Sequence, residues 1–122
     1  MKLHLDQGDT RYRINAYRPG AVTVNNEVLT RSCVLTATDL IRDWPPQSLD
    51  ELQSVHWEAV LALEPEVVIL GSGPRQRFPA AAVLSTLVDA GIGVEVMDTG
   101  AACRTFSVLA AEGRRVAAVL LL

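Results

Sequence analysis

Aromatic side chains are scarce in this chain, at 5% of its 122 residues, so Val, Leu, Ile and Ala must fill the interior. The only cysteines, Cys33 and Cys103, stand far apart without a C-x-x-C spacing, which excludes a disulfide-rich scaffold and favours free, buried thiols. The longest apolar run, residues 116–122, is too short to span a bilayer. What is present, 49% hydrophobic and 20% charged residues, is the composition of a globular protein.

Concentrated positive charge is also missing. The net charge is −3 and the eleven basic residues are scattered, so we expect no nucleic-acid partner, because phosphate backbones usually meet clustered Lys and Arg. Residues 1–9 lack the extended apolar stretch of a secretory signal. We therefore expect a cytoplasmic protein with reduced thiols and no membrane span.

The first third of the chain predicts antiparallel β-structure. Residues 12–17 alternate large and polar side chains, which is the period of a half-buried strand. Residues 18–20 supply turn chemistry, a second strand follows, and Asn25-Asn26 tolerates the positive φ of a tight hairpin turn. A return strand is expected over about residues 28–34, and residues 36–47 are read as a connection. This part is predicted to form a hairpin or meander.

One helix is predicted between this connection and Pro65. Ser48 followed by Glu51 has the capping-box pattern, and an apolar stripe continues to Leu63. His56 lies near the middle of that stripe. A histidine there is more often a core residue than a catalytic one.

From Pro65 onward the pattern is β-α-β-α-β. Strands are predicted over residues 66–70, 92–97 and 116–122, and helices over residues 79–90 and from about 98 to 112. Such an order implies at least one right-handed parallel crossover. We expect a single α/β domain over residues 1–122, with the final strand central or well covered.

The two strand-to-helix loops, residues 71–78 and 98–104, are the candidate site. Ligands of open α/β sheets gather outside the carboxyl ends of parallel strands, and exposed helix N-termini favour anions. We predict a shared pocket for a small anion or a partner, without assigning any residue as catalytic. Its predicted residues are Gly71, Ser72, Gly73, Asp98, Thr99, Arg104 and Thr105. The simpler alternative is that Thr99 caps a helix, the glycines serve a turn, and the nearby arginines are solvated.

Other chemistry has weaker support. Gly71-x-Gly73 after a strand, with Asp98 ending the next, partly matches a dinucleotide fingerprint, but Gln76 replaces the third glycine and Pro74 removes an amide. A Ser72–His56–Asp98 triad has the right residue types without a nucleophile-elbow spacing. Metal ligation is not indicated either, because the cysteines and histidines, including His4, lack the close pair spacings of zinc sites. We expect no cofactor and no metal.

Two segments carry a family resemblance. Residues 65–73, Pro-Glu-Val-Val-Ile-Leu-Gly-Ser-Gly, and residues 97–106, Met-Asp-Thr-Gly-Ala-Ala-Cys-Arg-Thr-Phe, resemble the two signatures of a family of small α/β proteins. That family includes the mitochondrial respiratory complex I assembly factor 3 and an adipogenesis-associated Mth938-domain protein. The resemblance implies a three-layer Mth938-like fold, with a mixed sheet joined to a β-hairpin layer, and it implies no established enzymatic activity. Where the family frequently has Tyr-Asn, this chain has Phe106-Ser107.

The resemblance and the residues together lead to two hypotheses of different classes. The first is a non-enzymatic binding or assembly-factor-like protein with a protein partner. The second is a small-molecule enzyme with an anion-binding pocket at residues 71–78 and 98–104. Convergence of the polar groups inside a concave site would favour the enzyme.

Overall fold

A computed structural model describes residues 10–122. Its eight strands form two sheets. β1 (Ile14–Arg18), β2 (Ala21–Val24) and β3 (Glu27–Leu29) make a three-stranded antiparallel meander. β4 (Cys33–Leu35), β5 (Leu40–Ile41), β6 (Val67–Gly71), β7 (Gly93–Met97) and β8 (Val116–Leu120) make a five-stranded sheet of order β5-β4-β8-β6-β7.

The five-stranded sheet is mixed, as predicted. β6 runs parallel to both β7 and β8, whereas β4 runs antiparallel to β8 and to β5. The α-helices are α1 (Trp57–Leu61), α2 (Ala81–Asp89) and α3 (Thr99–Ala111). β8 is central and buried throughout, which explains why its sequence is apolar without alternation.

Two apolar cores lie on the two faces of this sheet and give the three layers. Neighbouring residues of one strand alternate between the cores, for example Val68 in one and Ile69 in the other. The first core joins the sheet to the meander and α3 through residues such as Val22, Leu35 and Phe106. The second packs the sheet against α1 and α2 and contains Trp44 and Trp57, whose ring centroids are 5.7 Å apart. The α/β three-layer prediction is confirmed.

The predicted single return strand over residues 28–34 is wrong. β3 ends at Leu29 and β4 begins at Cys33, and the two strands belong to different sheets. The residues between them let the chain cross from the meander to β8. The turn prediction for Asn25 is correct, because its φ is 55°. β1 also starts two residues later than predicted, and the connection holds the short strand β5.

The predicted helix over residues 49–63 is also wrong. Two short 3-10 helices, Leu49–Glu51 and Ser54–His56, precede the five-residue α1. Leu52 and Gln53 have extended backbone between them, which turns buried Leu52 into the core. Ser48 makes no side-chain cap. The side chain of Glu51 accepts a hydrogen bond from Gln47 N at 2.8 Å instead.

The second half follows the prediction with shifts of one or two residues at element ends. Helix α2 starts at Ala81, after Pro79, and Gly91 follows its end with a φ of 78°. That left-handed conformation favours glycine. Helix α3 begins one residue after Asp98, which is its N-cap. The alternative in which Thr99 caps this helix is wrong in that detail, because the capping side chain belongs to Asp98.

Candidate functional site

The two crossover loops meet at one edge of the sheet, as the β-α-β-α-β order predicts. β6 and β7 are parallel neighbours, so Gly71 and Met97 end side by side. Ser72 N donates to Met97 O at 2.9 Å, and Thr99 N donates to Gly73 O at 2.9 Å. The backbone groups of residues 72, 73, 97 and 99 are therefore bonded to each other across the two loops.

Thr99 joins this edge to β8. It is fully buried, and its Oγ1 accepts a hydrogen bond from Gly73 N at 2.8 Å and donates to Leu121 O at 2.6 Å. Gly71 lies against it so closely that an added Cβ would come within 2.9 Å of Thr99 Cα. A buried hydroxyl with both partners in place is a structural bond, and glycine at 71 is required by the close approach.

Ser72 holds the loop that follows β6. Its buried Oγ accepts from Arg77 N at 3.0 Å and lies 2.5 Å from Arg75 O, to which it donates its one proton. The side chain thus folds residues 72–77 into a compact turn and leaves Arg75 and Arg77 exposed. We call these contacts of Ser72, Gly73 and Thr99, with the close approach of Gly71, the Ser72–Thr99 network.

The remaining predicted pocket residues lie on or beside α3. Asp98 Oδ1 accepts from Ala101 N at 2.9 Å, which satisfies a free amide at the helix start. Thr105 Oγ1 contacts the sulfur of Met97 at 3.3 Å. Arg104 is exposed and lies on a groove described below. Of the seven predicted residues, Arg104 alone presents an exposed charged side chain, and a ligand pocket formed by the seven stays a prediction.

The residues of the hypothetical triad are engaged elsewhere. His56 Nδ1 accepts from Gln53 N at 2.9 Å, and its ring meets Trp44 edge-on at a centroid distance of 5.9 Å. The side-chain bonds of Ser72 and Asp98 go to backbone groups, those of Arg75, Arg77 and Met97 for Ser72 and that of Ala101 for Asp98. None of the three side chains is hydrogen-bonded to another. His56 is also half-buried on a 3-10 helix, so its predicted place on a helical stripe is wrong.

Both thiols are free and buried within one core, as predicted. Burial raises the pKa of Cys33 to about 12 and that of Cys103 to about 11. A thiol with so high a pKa is protonated at neutral pH and is a poor nucleophile. His4, the other residue considered as a metal ligand, lies outside the described residues. Among residues 10–122, no group of three potential ligands could hold a metal ion.

A groove that the sequence reasoning missed separates β1 from α3. Two neighbouring cavities of about 410 and 230 Å³ lie there and share Ile14, Asn15 and Ser107 in their walls. Tyr17 and Gly100 face each other in it, since a Cβ at residue 100 would lie 3.2 Å from Tyr17 Cε2. Burial, followed by the proximity of Cys103 and Asp98, raises the pKa of Tyr17. We call this feature the β1–α3 groove.

The sequence held only a partial signal for the groove. Arg11 and Arg13 alternate with Tyr12 and Ile14, a period that exposes the arginines and half-buries the other two side chains. Nothing in the sequence indicates that α3 would flank β1.

Comparison with known proteins gives the family. The model of a protein family described as "Protein of unknown function (DUF498/DUF598)" matches residues 14–121. The chain belongs to the DUF498/DUF598 family. The family resemblance inferred from the two signatures is therefore confirmed.

Named relatives extend this DUF498/DUF598 assignment. A zebrafish protein named NADH dehydrogenase [ubiquinone] 1 alpha subcomplex assembly factor 3 is 34% identical over 88% of this chain and 63% of its own length. A Francisella tularensis protein named "13 kDa major membrane protein" is 27% identical over 86% of each chain. The chain thus spans less than two thirds of the length of the assembly factor. Within residues 10–122, no helix is long and apolar enough to cross a membrane.

Solved structures of similar proteins share the fold. An NMR structure from Xanthomonas campestris has a TM-score of 0.85 and 43% identity, covering 99% of this chain and 92% of its own. A Bordetella pertussis protein described as a Mth938-like domain has a TM-score of 0.79 and 28% identity, covering 90% and 85%. The Mth938-like fold is confirmed.

Proposed function

We propose that this DUF498/DUF598 protein is a non-enzymatic binding protein of the assembly-factor type, which recognises a partner protein through its surface. The observation that carries the proposal is the Ser72–Thr99 network. The hydroxyls and amides that were predicted to contact a ligand are hydrogen-bonded within the chain, at donor–acceptor distances of 2.5 to 3.0 Å. The 34% identity to a protein named as a complex I assembly factor supports the same proposal.

The exposed residues fit recognition better than chemistry. Phe78 is 68% exposed, on the loop that also presents Arg75 and Arg77. Arg104 lies on the β1–α3 groove. Exposed aromatic and arginine side chains are common anchors of protein interfaces. With its buried, protonated thiols, the protein is proposed to act in the cytoplasm.

Affinity capture from the native cell tests this function. The tagged full-length protein is expected to retain a specific partner, identified by mass spectrometry, that then binds the purified protein directly. The affinity tag alone, expressed in the same cells, serves as the control for non-specific capture. Turnover of a small molecule by the purified protein, abolished by Ser72→Ala, would contradict the proposal.

A small anion bound at the loop edge is the second candidate. The Ser72 hydroxyl bonds to the backbone of both Arg75 and Arg77 and so places both residues on one short turn, where Arg77 also pairs with Asp50 at 3.4 Å. Asp98, Thr99 and Thr105 position the neighbouring start of α3, and Arg104 adds a third positive charge to that helix. Titration with inorganic phosphate, followed by amide chemical shifts, tests this candidate. Shifts confined to residues 72–78 and 98–105, weakened by Ser72→Ala, are expected.

A further inference from the structure

The β1–α3 groove has the geometry of a strand-addition site. β1 is an edge strand, paired with β2 on one side only in the described sheet. On its other side lies the groove, whose far wall is α3. An extended peptide bonded to β1 there would run along the outer rim of the groove, because Tyr17 of β1 already packs against Gly100 of α3. Grooves of this kind bind peptides through main-chain hydrogen bonds, with side-chain pockets adding selectivity.

The shape of β1 agrees with this use. Its pairing with β2 shifts between Ile14 and Ala16, so Asn15 is an extra residue on the edge. Asn15 Nδ2 donates to Asn25 O, and Arg13 N donates to Asn25 Oδ1 at 3.0 Å, which fixes the irregular segment. Such bulges occur at sheet edges and next to binding sites, where they redirect side chains.

The charge of the groove selects its occupant. Arg13 and Arg104 are in its walls, and one carboxylate, that of Asp98, lies beside Tyr17 and Gly100. Neither arginine forms an ion pair with any of residues 10–122. The chain as a whole carries a net charge of −3, so this basic channel contrasts with the rest of the protein.

The same charges exclude one occupant. Antiparallel pairing of two copies through β1 would bring Arg13 and Arg18 of one copy near those of the other. Like charges across a strand pair are destabilising, and basic side chains on an edge are a common protection against self-association. An acidic strand from another protein meets no such repulsion.

We propose that the β1–α3 groove binds an extended, acidic segment of a partner protein as an added strand on β1. The inference rests on the proposed partner-binding function and assigns it a site. Main-chain hydrogen bonds to β1 hold the segment, and its carboxylates pair with Arg13 and Arg104. Ser107, small and exposed, leaves room for its side chains, whereas Gly100 is already covered by the ring of Tyr17.

Fluorescence anisotropy with defined peptides tests the proposal on the full-length protein. The probe is a capped ten-residue peptide of alternating Glu and Val. Its Lys-Val counterpart has the same β-propensity and the opposite charge, and an N-methylated Glu-Val version cannot form the main-chain bonds. Binding of the first peptide alone is expected. Equal binding of all three, or of none, would overturn the proposal.

Matched variants locate the site. Arg104→Glu is expected to weaken binding by about tenfold, as lost charge-assisted hydrogen bonds do. Arg31→Glu, the same charge change outside the groove, is expected to bind as the parent does. Ser107→Trp fills the groove and abolishes binding, whereas Val108→Trp, on an exposed neighbour in α3, does not. Loss of binding in the two control variants, or retention in both groove variants, contradicts the proposal.

Two further experiments distinguish a failure of the groove proposal from a failure of the proposed partner-binding function. Vesicles of phosphatidylglycerol test an anionic membrane as the occupant of the groove. If the parent protein binds vesicles but no peptide, and Arg104→Glu loses the vesicle binding, the peptide proposal is overturned. Affinity capture from the native cell is repeated with Arg104→Glu. A partner captured equally by parent and variant refutes the groove while leaving the proposed function intact. No specific partner with the parent protein refutes the function itself.

Discussion

The Ser72–Thr99 network and the β1–α3 groove both involve the helix segment of residues 99–107, and their polar groups serve different purposes. In the network, Thr99 is fully buried and bonded on both sides. In the groove, Arg104 and Ser107 are exposed. Residues resembling a catalytic loop therefore stabilise the fold, and less distinctive residues on an edge strand and a helix are free to bind. The following predictions test this division, from the largest expected effect to the smallest.

Thr99→Val is expected to have the largest effect on stability. The substitution keeps the shape of the side chain but leaves Gly73 N and Leu121 O without a partner in the interior, which costs about 3 kcal/mol of the free energy of unfolding. Thr99→Ser keeps the hydroxyl and is the matched control. Chemical denaturation of the three proteins measures the difference, and equal stability of the valine and serine variants would contradict a structural role.

Cys103 contributes to the groove wall but should behave as a core residue. Its pKa is raised to about 11 from an ordinary 9.0, so the folded state keeps the proton after the unfolded state has lost it. The free energy of unfolding should be unaffected by this group below pH 9 and fall as pH rises from 9 to 11, by about 3 kcal/mol at most.

Denaturation of the parent and of Cys103→Ala across this pH range isolates the contribution of Cys103 to the free energy of unfolding. The contribution of Cys33 cancels, because Cys33 is present in both proteins. The difference in stability between them should shrink as pH rises. Parallel curves would show that Cys103 is not shielded from solvent.

Gly71→Ala should destabilise the protein by about 2 kcal/mol, because overpacking against a rigid backbone atom forces a shift. The added Cβ would come within 2.9 Å of Thr99 Cα. Gly93→Ala on β7 is the control, since its Cβ would meet Val67 Cγ2 at an ordinary 3.6 Å. Thermal melting distinguishes them, and similar melting temperatures would mean that the close approach of the two loops is unimportant.

Ser72→Ala should cost about 1 kcal/mol, the typical net value of one hydrogen-bonding group. Its main consequence is local, because residues 72–77 lose the hydroxyl that organises them. Amide hydrogen exchange is expected to accelerate in this loop while the central strand β8 stays protected. Unchanged exchange in the loop would indicate that the turn holds its shape without the hydroxyl.

Some elements of the fold can be predicted from the sequence, and others cannot. The second half was predictable because its signals are local: Gly91 ends α2, Asp98 begins α3, and the apolar run at residue 116 requires a covered strand. The division of residues 27–35 into β3 and β4 was not predictable. A short strand joins whichever sheet contains its pairing partners, and those partners are distant in the sequence. Periodicity over residues 49–63 failed because the extended backbone of Leu52 and Gln53 interrupts the helix although the apolar residues have helical spacing.

The candidate site was only partly predictable for the same reason. The order of strands and helices is enough to bring residues 71–73 and 98–99 to one edge. Whether the Thr99 hydroxyl points toward solvent or toward Leu121 depends on β8, which follows 17 residues after Thr99 in the chain. The groove requires β1 and α3 to become neighbours, and no short-range pattern encodes that contact.

Arg104→Glu should leave the free energy of unfolding within about 0.5 kcal/mol of the parent value, as exposed substitutions usually do. The stability of this variant contrasts with that of Thr99→Val, although the two residues lie on the same helix. Thermal melting provides the comparison. A large loss of stability would place Arg104 in the fold rather than on a binding surface.

The central claim is that the β1–α3 groove binds a partner whereas the Ser72–Thr99 network stabilises the fold. Its most direct test is an NMR titration of the protein with the Glu-Val peptide, recording every backbone amide. We predict that shifts and slowed hydrogen exchange will concentrate at residues 13–18, 104 and 107, with residues 71–73 and 99 unchanged. Shifts confined to residues 71–78 and 98–99, with β1 unaffected, would contradict the account.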